Sequence, residues 1–185
     1  DNSNFRTLIT HNSDLDILAV CETFLKVKQT IEVDGYTFVG HNRTVLHPNA
    51  KRGSGGVGFL FKNSFLSNYS YLINNENENI LWVKLSHKIT STVINICVCY
   101  MPPASSSRAG DSDECFANIM KHIYEIQCEG DFIICGDFNS RCGEEADYIE
   151  GVDNIPPRDV IDMHTNAYGL QFIDFLIDCN VCMLN

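Results

Sequence analysis

No apolar run in the 185 residues approaches the roughly 18 that a membrane span requires. Nor does a basic segment followed by an apolar core open the chain, as a secretory leader would. The expectation is a soluble intracellular protein, nuclear or cytoplasmic, with no membrane partner. No internal repeat or low-complexity tract is visible. The glycines at 53, 55, 56 and 58 are followed neither by Gly-Lys-Ser/Thr nor by a helical pattern, which excludes a phosphate loop. Acid is missing from one long stretch: between Asp34 and Glu76 there is no acidic residue, while Arg43, Lys51, Arg52 and Lys62 fall there with His41 and His47. The net charge of −11 argues against a dedicated nucleic-acid binder, whose affinity comes mainly from phosphate contacts. The basic strip softens that objection, because it is compatible either with gripping a phosphate backbone or with an ordinary solvated loop.

What is present fits one domain. A chain with 44% hydrophobic and 20% charged residues is ordinary for a globular protein of this length and excludes disorder. Nine cysteines is a high count, yet the number is odd, and Cys97, Cys99 and Cys135 sit inside strand patterns. Buried thiols in a reducing compartment explain them better than disulfides. Cys179 and Cys182 have the spacing of a zinc pair, but no second pair accompanies them.

The clearest local signal is Phe132 to Asn139. Phe132, Ile133, Ile134 and Cys135 form an apolar run expected of a strand covered on both faces, and Gly136 then lets the backbone turn. Asp137 and Asn139 follow at the strand end. An Asp can hold a metal or take a proton from water, and an Asn can donate hydrogen bonds to developing negative charge. Both residues are also common turn formers, so the tetrapeptide alone reads equally as a turn. Asp16 to Cys21 is a second buried strand with Glu22 at its far end. Two strand-end acids point to one sheet edge, where ligands gather in α/β proteins, although a lone strand-end Glu is often a solvated surface acid.

The remaining chain alternates strands and helices. Asn2 or Ser3 caps a short helix with Phe5, Leu8 and Ile9 on one face. Tyr36 to Val39 and Val57 to Phe61 are strands of a hairpin, and Ile80 to Leu85 and Val93 to Tyr100 belong to a second, meander-like sheet. Tyr100 ends its strand because Met101-Pro102-Pro103 terminates ladder pairing. A helix starts at Asp111 to Asp113, burying Phe116, Ile119, Met120, Ile123 and Ile126, and returns the chain to the central strand. After a long acidic loop from Gly143 to Met163, Asn166 begins a helix ending near Cys179, and Val181 to Leu184 reads as a further buried strand. Strands in both end thirds around a hairpin-rich middle predict two packed mixed β-sheets with helices.

Five stretches, taken in order, resemble one superfamily. They are Asp16-Ile-Leu-Ala-Val-Cys-Glu22-Thr-Phe-Leu, Arg52-Gly-Ser-Gly-Gly-Val-Gly-Phe-Leu-Phe, Ile80-Leu-Trp-Val-Lys-Leu, Val98-Cys-Tyr100-Met-Pro-Pro and Gly136-Asp-Phe-Asn-Ser-Arg141. Their order and spacing are similar to the endonuclease/exonuclease/phosphatase domains, most closely the apurinic-type endonucleases of non-LTR retrotransposons. The resemblance implies a four-layer α/β (α+β) sandwich of two mixed sheets flanked by helices. It also implies that residues 1–185 are a single domain incomplete at both termini, with the second sheet incomplete and an exposed edge or apolar patch in consequence.

The resemblance further implies a Mg²⁺- or Mn²⁺-dependent phosphodiester hydrolase that nicks DNA, monomeric, with a reverse transcriptase domain elsewhere in the gene product. Carried over residue by residue, Glu22 is the metal ligand, Asp137 a second ligand that orients or deprotonates water, Asn139 the residue holding the phosphate or the Asp, and Tyr100 a donor to the phosphate. The family's C-terminal His and Asp have no match here, and His164 is the sole candidate substitute. The competing expectations are an inactive binding or scaffold fragment of the same fold and a phosphatase of the same superfamily. A thiol titration of the denatured, non-reduced protein is expected to find nine free thiols; far fewer would contradict the reducing-compartment reading.

Overall fold

Alternation with a period of two builds the first sheet. In the computed structural model, which describes residues 7, 9, 14–46, 49–109, 112–155 and 158–184, strands β1 (Ile17–Cys21), β2 (Tyr36–His41) and β3 (Val57–Lys62) pair in the order β1-β3-β2. Both ladders are antiparallel, with Leu60 opposite Leu18 on one side and Phe38 on the other. A one-turn helix, α1 (Asn63–Leu66), leads into β4 (Tyr69–Asn74), β5 (Ile80–His87) and β6 (Val93–Tyr100). Helix α2 (Ser112–Ile126) then precedes β7 (Asp131–Asp137), and α3 (Ala167–Asp178) is the last element.

The chain divides into two compact units. The first holds residues 1–100 and 127–136 and contains both sheets, the second being ordered β4-β5-β6-β7. Phe59 and Phe61 of β3, Leu81, Val83 and Leu85 of β5, and Ile96, Val98 and Tyr100 of β6 form one buried cluster, so the sheets pack face to face. Fully burying side chains of this size stabilises the fold by roughly 1.5–3 kcal/mol each. Leu60, on the opposite face of β3, packs with Val20 and Ile31. The ladders β4–β5 and β5–β6 are antiparallel. Gly130 lies against Val93 and Gly136 against Cys99, six residues further along each strand, so β6 and β7 run in the same direction and the sheet is mixed.

The second unit holds residues 101–126 and 137–185. Here α2 buries Cys115, Phe116, Ile119 and Ile123. Phe116 stacks on Phe175 at 5.3 Å and on Phe172 at 5.8 Å between ring centroids, and Phe172 stacks on Phe138 at 4.5 Å. Asn166 caps α3 as expected, its side chain accepting from the Gly169 N–H at 2.7 Å. No helix among the described residues is long and apolar enough to cross a membrane.

Four expectations are corrected or left aside. The run Phe132 to Cys135 is not covered on both faces and is not the central strand. It lies in β7, the outermost strand, where Ile133 is 54% exposed. Val181 to Leu184 is not a strand: Asn180 takes a left-handed conformation (φ 52°), and the Val181 N–H returns to the Leu176 carbonyl at 3.0 Å, closing α3. The Met183 N–H is then held by Asp147 at 2.6 Å rather than by a neighbouring strand. Cys97 and Cys99 are fully buried, whereas Cys135 is half-buried; all nine cysteines are free thiols. Burial, with Cys21 nearby, pushes the Cys135 thiol up to about 11, which keeps it protonated at neutral pH. Of the helix expected with Phe5, Leu8 and Ile9 on one face, Ile9 is helical and packs against the Val20, Ile31 and Leu60 cluster, while Phe5 and Leu8 lie outside the described residues.

Two elements were not anticipated, α1 and β4. The latter is the other outer strand of its sheet and turns Tyr71, Leu72 and Ile73 to solvent, an exposed apolar edge.

Gly136 has φ 138°, and a Cβ there would collide with the Cys99 carbonyl. Gly136→Ala is therefore expected to cost about 2 kcal/mol or more, read as a lower urea midpoint. An unchanged midpoint would contradict this packing.

Candidate active site

Glu22 stands one residue past β1, where the chain leaves the ladder in a left-handed conformation (φ 53°). Phe24 is left-handed too (φ 51°). Two non-glycine residues so close together in this region mark a segment that its surroundings force into shape. The Thr23 and Phe24 N–H groups donate to the carbonyls of Gly56 and Gly55 at 3.2 and 2.8 Å, and the Gly53 N–H returns to the Phe24 carbonyl at 2.9 Å. The glycine-rich stretch thus backs the Glu22 segment instead of cradling a ligand.

Tyr100 closes β6 and is buried, with its hydroxyl donating to Glu22 Oε1 at 2.6 Å. Its short length marks a charge-assisted bond, and it joins the ends of strands from two different sheets. The bond occupies one carboxylate oxygen and fixes the direction of the other. Glu22 itself is exposed.

Asp137 ends β7 and is exposed. Its Oδ1 accepts the backbone N–H of Asn139 at 2.9 Å, an Asx turn made possible by the left-handed Asn139 (φ 49°). The Asn139 amide is spent elsewhere, donating to the Met101 carbonyl at 2.6 Å, while Asn166 donates to the Asn139 carbonyl at 2.9 Å. Glu22 and Asp137 do not cap strands of one sheet, as strand-end position had suggested: β1 belongs to the first sheet and β7 to the second. Strand ends of equal chemistry carry no label of sheet membership.

Sequence reading missed Arg43. Counted in a basic strip open to phosphate or solvent, it is instead 2% exposed. Its guanidinium lies 6.0 Å from the centre of the Tyr100 ring, donates to Asn79 Oδ1 and to Ser54 Oγ at 3.4 Å, and faces Glu78 at 3.6 Å. Gly55 (φ 56°) must lack a side chain, because a Cβ would sit 2.9 Å from that guanidinium. His164 is exposed, and its N–H donates to Asp162, which Arg141 grips through two hydrogen bonds of 2.7 and 2.9 Å.

Among the described residues no group of three or more His, Cys, Asp or Glu gathers as a ready-made metal cage. Glu22 and Asp137 are each exposed and each offer oxygen donors, the ligand type of a hard cation rather than of zinc.

A model of the endonuclease/exonuclease/phosphatase family matches residues 1–148. The chain belongs to that family. A comparison with curated proteins finds no match. Among solved structures, the family fold recurs in the endonuclease domain of TRAS1, a telomere-specific non-LTR retrotransposon, at 12% identity and TM-score 0.65, covering 100% of this chain and 67% of that one. It recurs in the AP endonuclease LMAP from Leishmania major at 21% identity and TM-score 0.59, covering 80% and 52%. ANGEL2, a 2',3'-cyclic phosphatase, is similar at 24% identity and TM-score 0.54, covering 77% and 44%. The chain therefore spans about half the length of the Leishmania enzyme. The resemblance read from the five motifs and the fold expected from it both hold for this family member.

The Arg141 hydrogen bonds, and next the His164 N–H, hold Asp162 down to about 2. A depressed folded value favours the native state above the ordinary carboxylate range, and this contribution is lost as pH falls toward 2. A carboxyl NMR titration should place the Asp162 midpoint near 2 and return it to about 4 in Arg141→Ala. A wild-type midpoint already near 4 would contradict the pair.

Proposed function

We propose that this chain is the greater part of a Mg²⁺- or Mn²⁺-dependent phosphodiesterase domain, a DNA-nicking endonuclease of a retroelement. The observation that carries the reading is the Tyr100–Glu22 bond at the strand ends. It presents an oriented, exposed carboxylate, the donor a hard cation takes, and family membership supports the same reaction class. A bound cation would neutralise charge on the phosphoryl oxygens and lower the pKa of a coordinated water.

The residues divide the remaining work. Glu22 would hold the cation, with Tyr100 keeping its carboxylate in one rotamer; with the phosphodiester bound, the same hydroxyl could pass to a phosphoryl oxygen. Asp137, fixed by the Asn139 N–H, orients the attacking water and accepts its proton as the new P–O bond forms. The bond from phosphorus to the leaving oxygen breaks, and that oxygen must gain a proton or a cation. His164 is given no part in that step here: only its backbone N–H is tied down, to Asp162, and its exposed imidazole is not held at the reacting atoms.

DNA as substrate is supported by the chain around Glu22. Beside it lies a cavity of about 720 Å³ lined by Phe24, Lys28 and Arg52, with one acid, Glu32, among the rest, and with the Arg52 guanidinium 4.4 Å from the centre of the Phe24 ring. Cations beside an aromatic face suit a nucleic-acid strand better than a small phosphate monoester.

None of Glu22, Tyr100, Asp137 and Asn139 protonates the leaving group in this reading, and loss of such a donor typically costs about 10²- to 10³-fold. With Mg²⁺ or Mn²⁺, the 185-residue chain is therefore expected to nick supercoiled DNA negligibly, while a version extended at both ends nicks it and loses that activity on Asp137→Ala. Robust nicking by the chain itself, abolished by His164→Ala, would overturn this reading. An extended version that binds DNA without nicking would mark a scaffold of the same fold.

A further inference from the structure

Among the described residues, Arg43 is the one buried cation near the Glu22 segment, and the proposed reaction does not yet use it. Taking a guanidinium out of water is costly unless its hydrogen bonds and charge are well matched. The match here is loose. Glu78 is 3.6 Å from Nε and its side chain is 41% exposed, and Nε has no hydrogen-bond acceptor. A protein selected for stability alone would do as well with an apolar side chain at this position. What the guanidinium does is tie together three pieces that end at Tyr100. It holds the Asn79 side chain, the Asn79 carbonyl accepts the Tyr100 N–H at 2.9 Å, and the cation faces the Tyr100 ring. Tyr100 in turn holds Glu22.

We propose that Arg43 is a positioning residue that acts through Asn79 and Tyr100 to fix the Glu22 carboxylate for a divalent cation. The inference rests on the reading of Glu22 as a cation ligand. Residues one step removed from a ligand commonly change metal affinity by about 10- to 100-fold when lost. Arg43→Met, which keeps the length of the stem and removes the cation and its donors, falls in that class. So does Asn79→Ala, which keeps the backbone carbonyl to Tyr100 but removes the acceptor that anchors the guanidinium.

The test is Mn²⁺ added alone to the chain, with binding followed by loss of the free-ion EPR signal, in wild type, Arg43→Met, Asn79→Ala, Tyr100→Phe, Glu22→Gln and the Arg43→Met/Tyr100→Phe double variant. Arg43→Met and Asn79→Ala should each weaken Mn²⁺ binding about tenfold. In the Tyr100→Phe background Arg43→Met should add little, because its effect already runs through the missing hydroxyl; a merely structural role would make the two losses additive. If Arg43→Met does not fold, Asn79→Ala alone and combined with Tyr100→Phe decides the matter. Wild-type affinity in Arg43→Met and Asn79→Ala, or additive losses, with Glu22→Gln still weakened, would overturn the role of Arg43 and leave the cation site standing. Unchanged affinity in Glu22→Gln would overturn the cation site and this inference with it.

Discussion

The hydrogen bond from Tyr100 to Glu22 is the contact on which the rest of the first unit converges. It exists because β1 and β6, in different sheets, reach the same edge of a face-to-face sandwich, and the cluster of Phe59, Phe61, Val83, Val98 and their neighbours sets that alignment. A buried phenol needs a partner for its hydroxyl, and the acid that follows the neighbouring sheet's strand supplies one. The same bond keeps an otherwise mobile glutamate in one orientation. Packing in the core is thus converted directly into placement of a charge.

Much of this cost is borne by backbone conformation. Glu22 and Phe24 are both left-handed, and the carbonyls of Gly55 and Gly56 satisfy the N–H groups that the turn leaves behind. In the stretch Arg52-Gly-Ser-Gly-Gly a side chain at Gly53 would meet the Leu25 carbonyl, one at Gly55 the Arg43 guanidinium and one at Gly56 the Thr23 hydroxyl. In the second unit Asn166 plays a comparable part. Its carboxamide caps α3 and also accepts from the Arg141 N–H while donating to the Asn139 carbonyl, so the start of one helix fixes the turn that presents Asp137.

The strands β3 and β6 were legible because their apolar residues recur with period two between strong turn signals, and the β6 span matches the expected Val93 to Tyr100. The start of α3 was legible from a single cap, Asn166. By contrast, Tyr69 to Asn74 gave no strand signal, since an outer strand with Tyr71, Leu72 and Ile73 exposed has no buried face to impose alternation. Phe132 to Cys135 was misplaced for the converse reason: an apolar run looks the same at a sheet edge and at its centre. Glu22, Tyr100 and Asp137 could be singled out from motif and strand-end position, but their sheet assignment could not. Arg43 was beyond reach, because a buried arginine is recognised only by partners distant in sequence, here Asn79 and Tyr100.

The central claim is that the Tyr100-oriented Glu22 carboxylate is a cation site. The most direct measurement is an anomalous difference map from crystals of the chain soaked in Mn²⁺. The account predicts a peak at coordination distance, roughly 2.1 Å, from a Glu22 oxygen. Well-occupied Mn²⁺ elsewhere on the molecule, with none on Glu22, would contradict it.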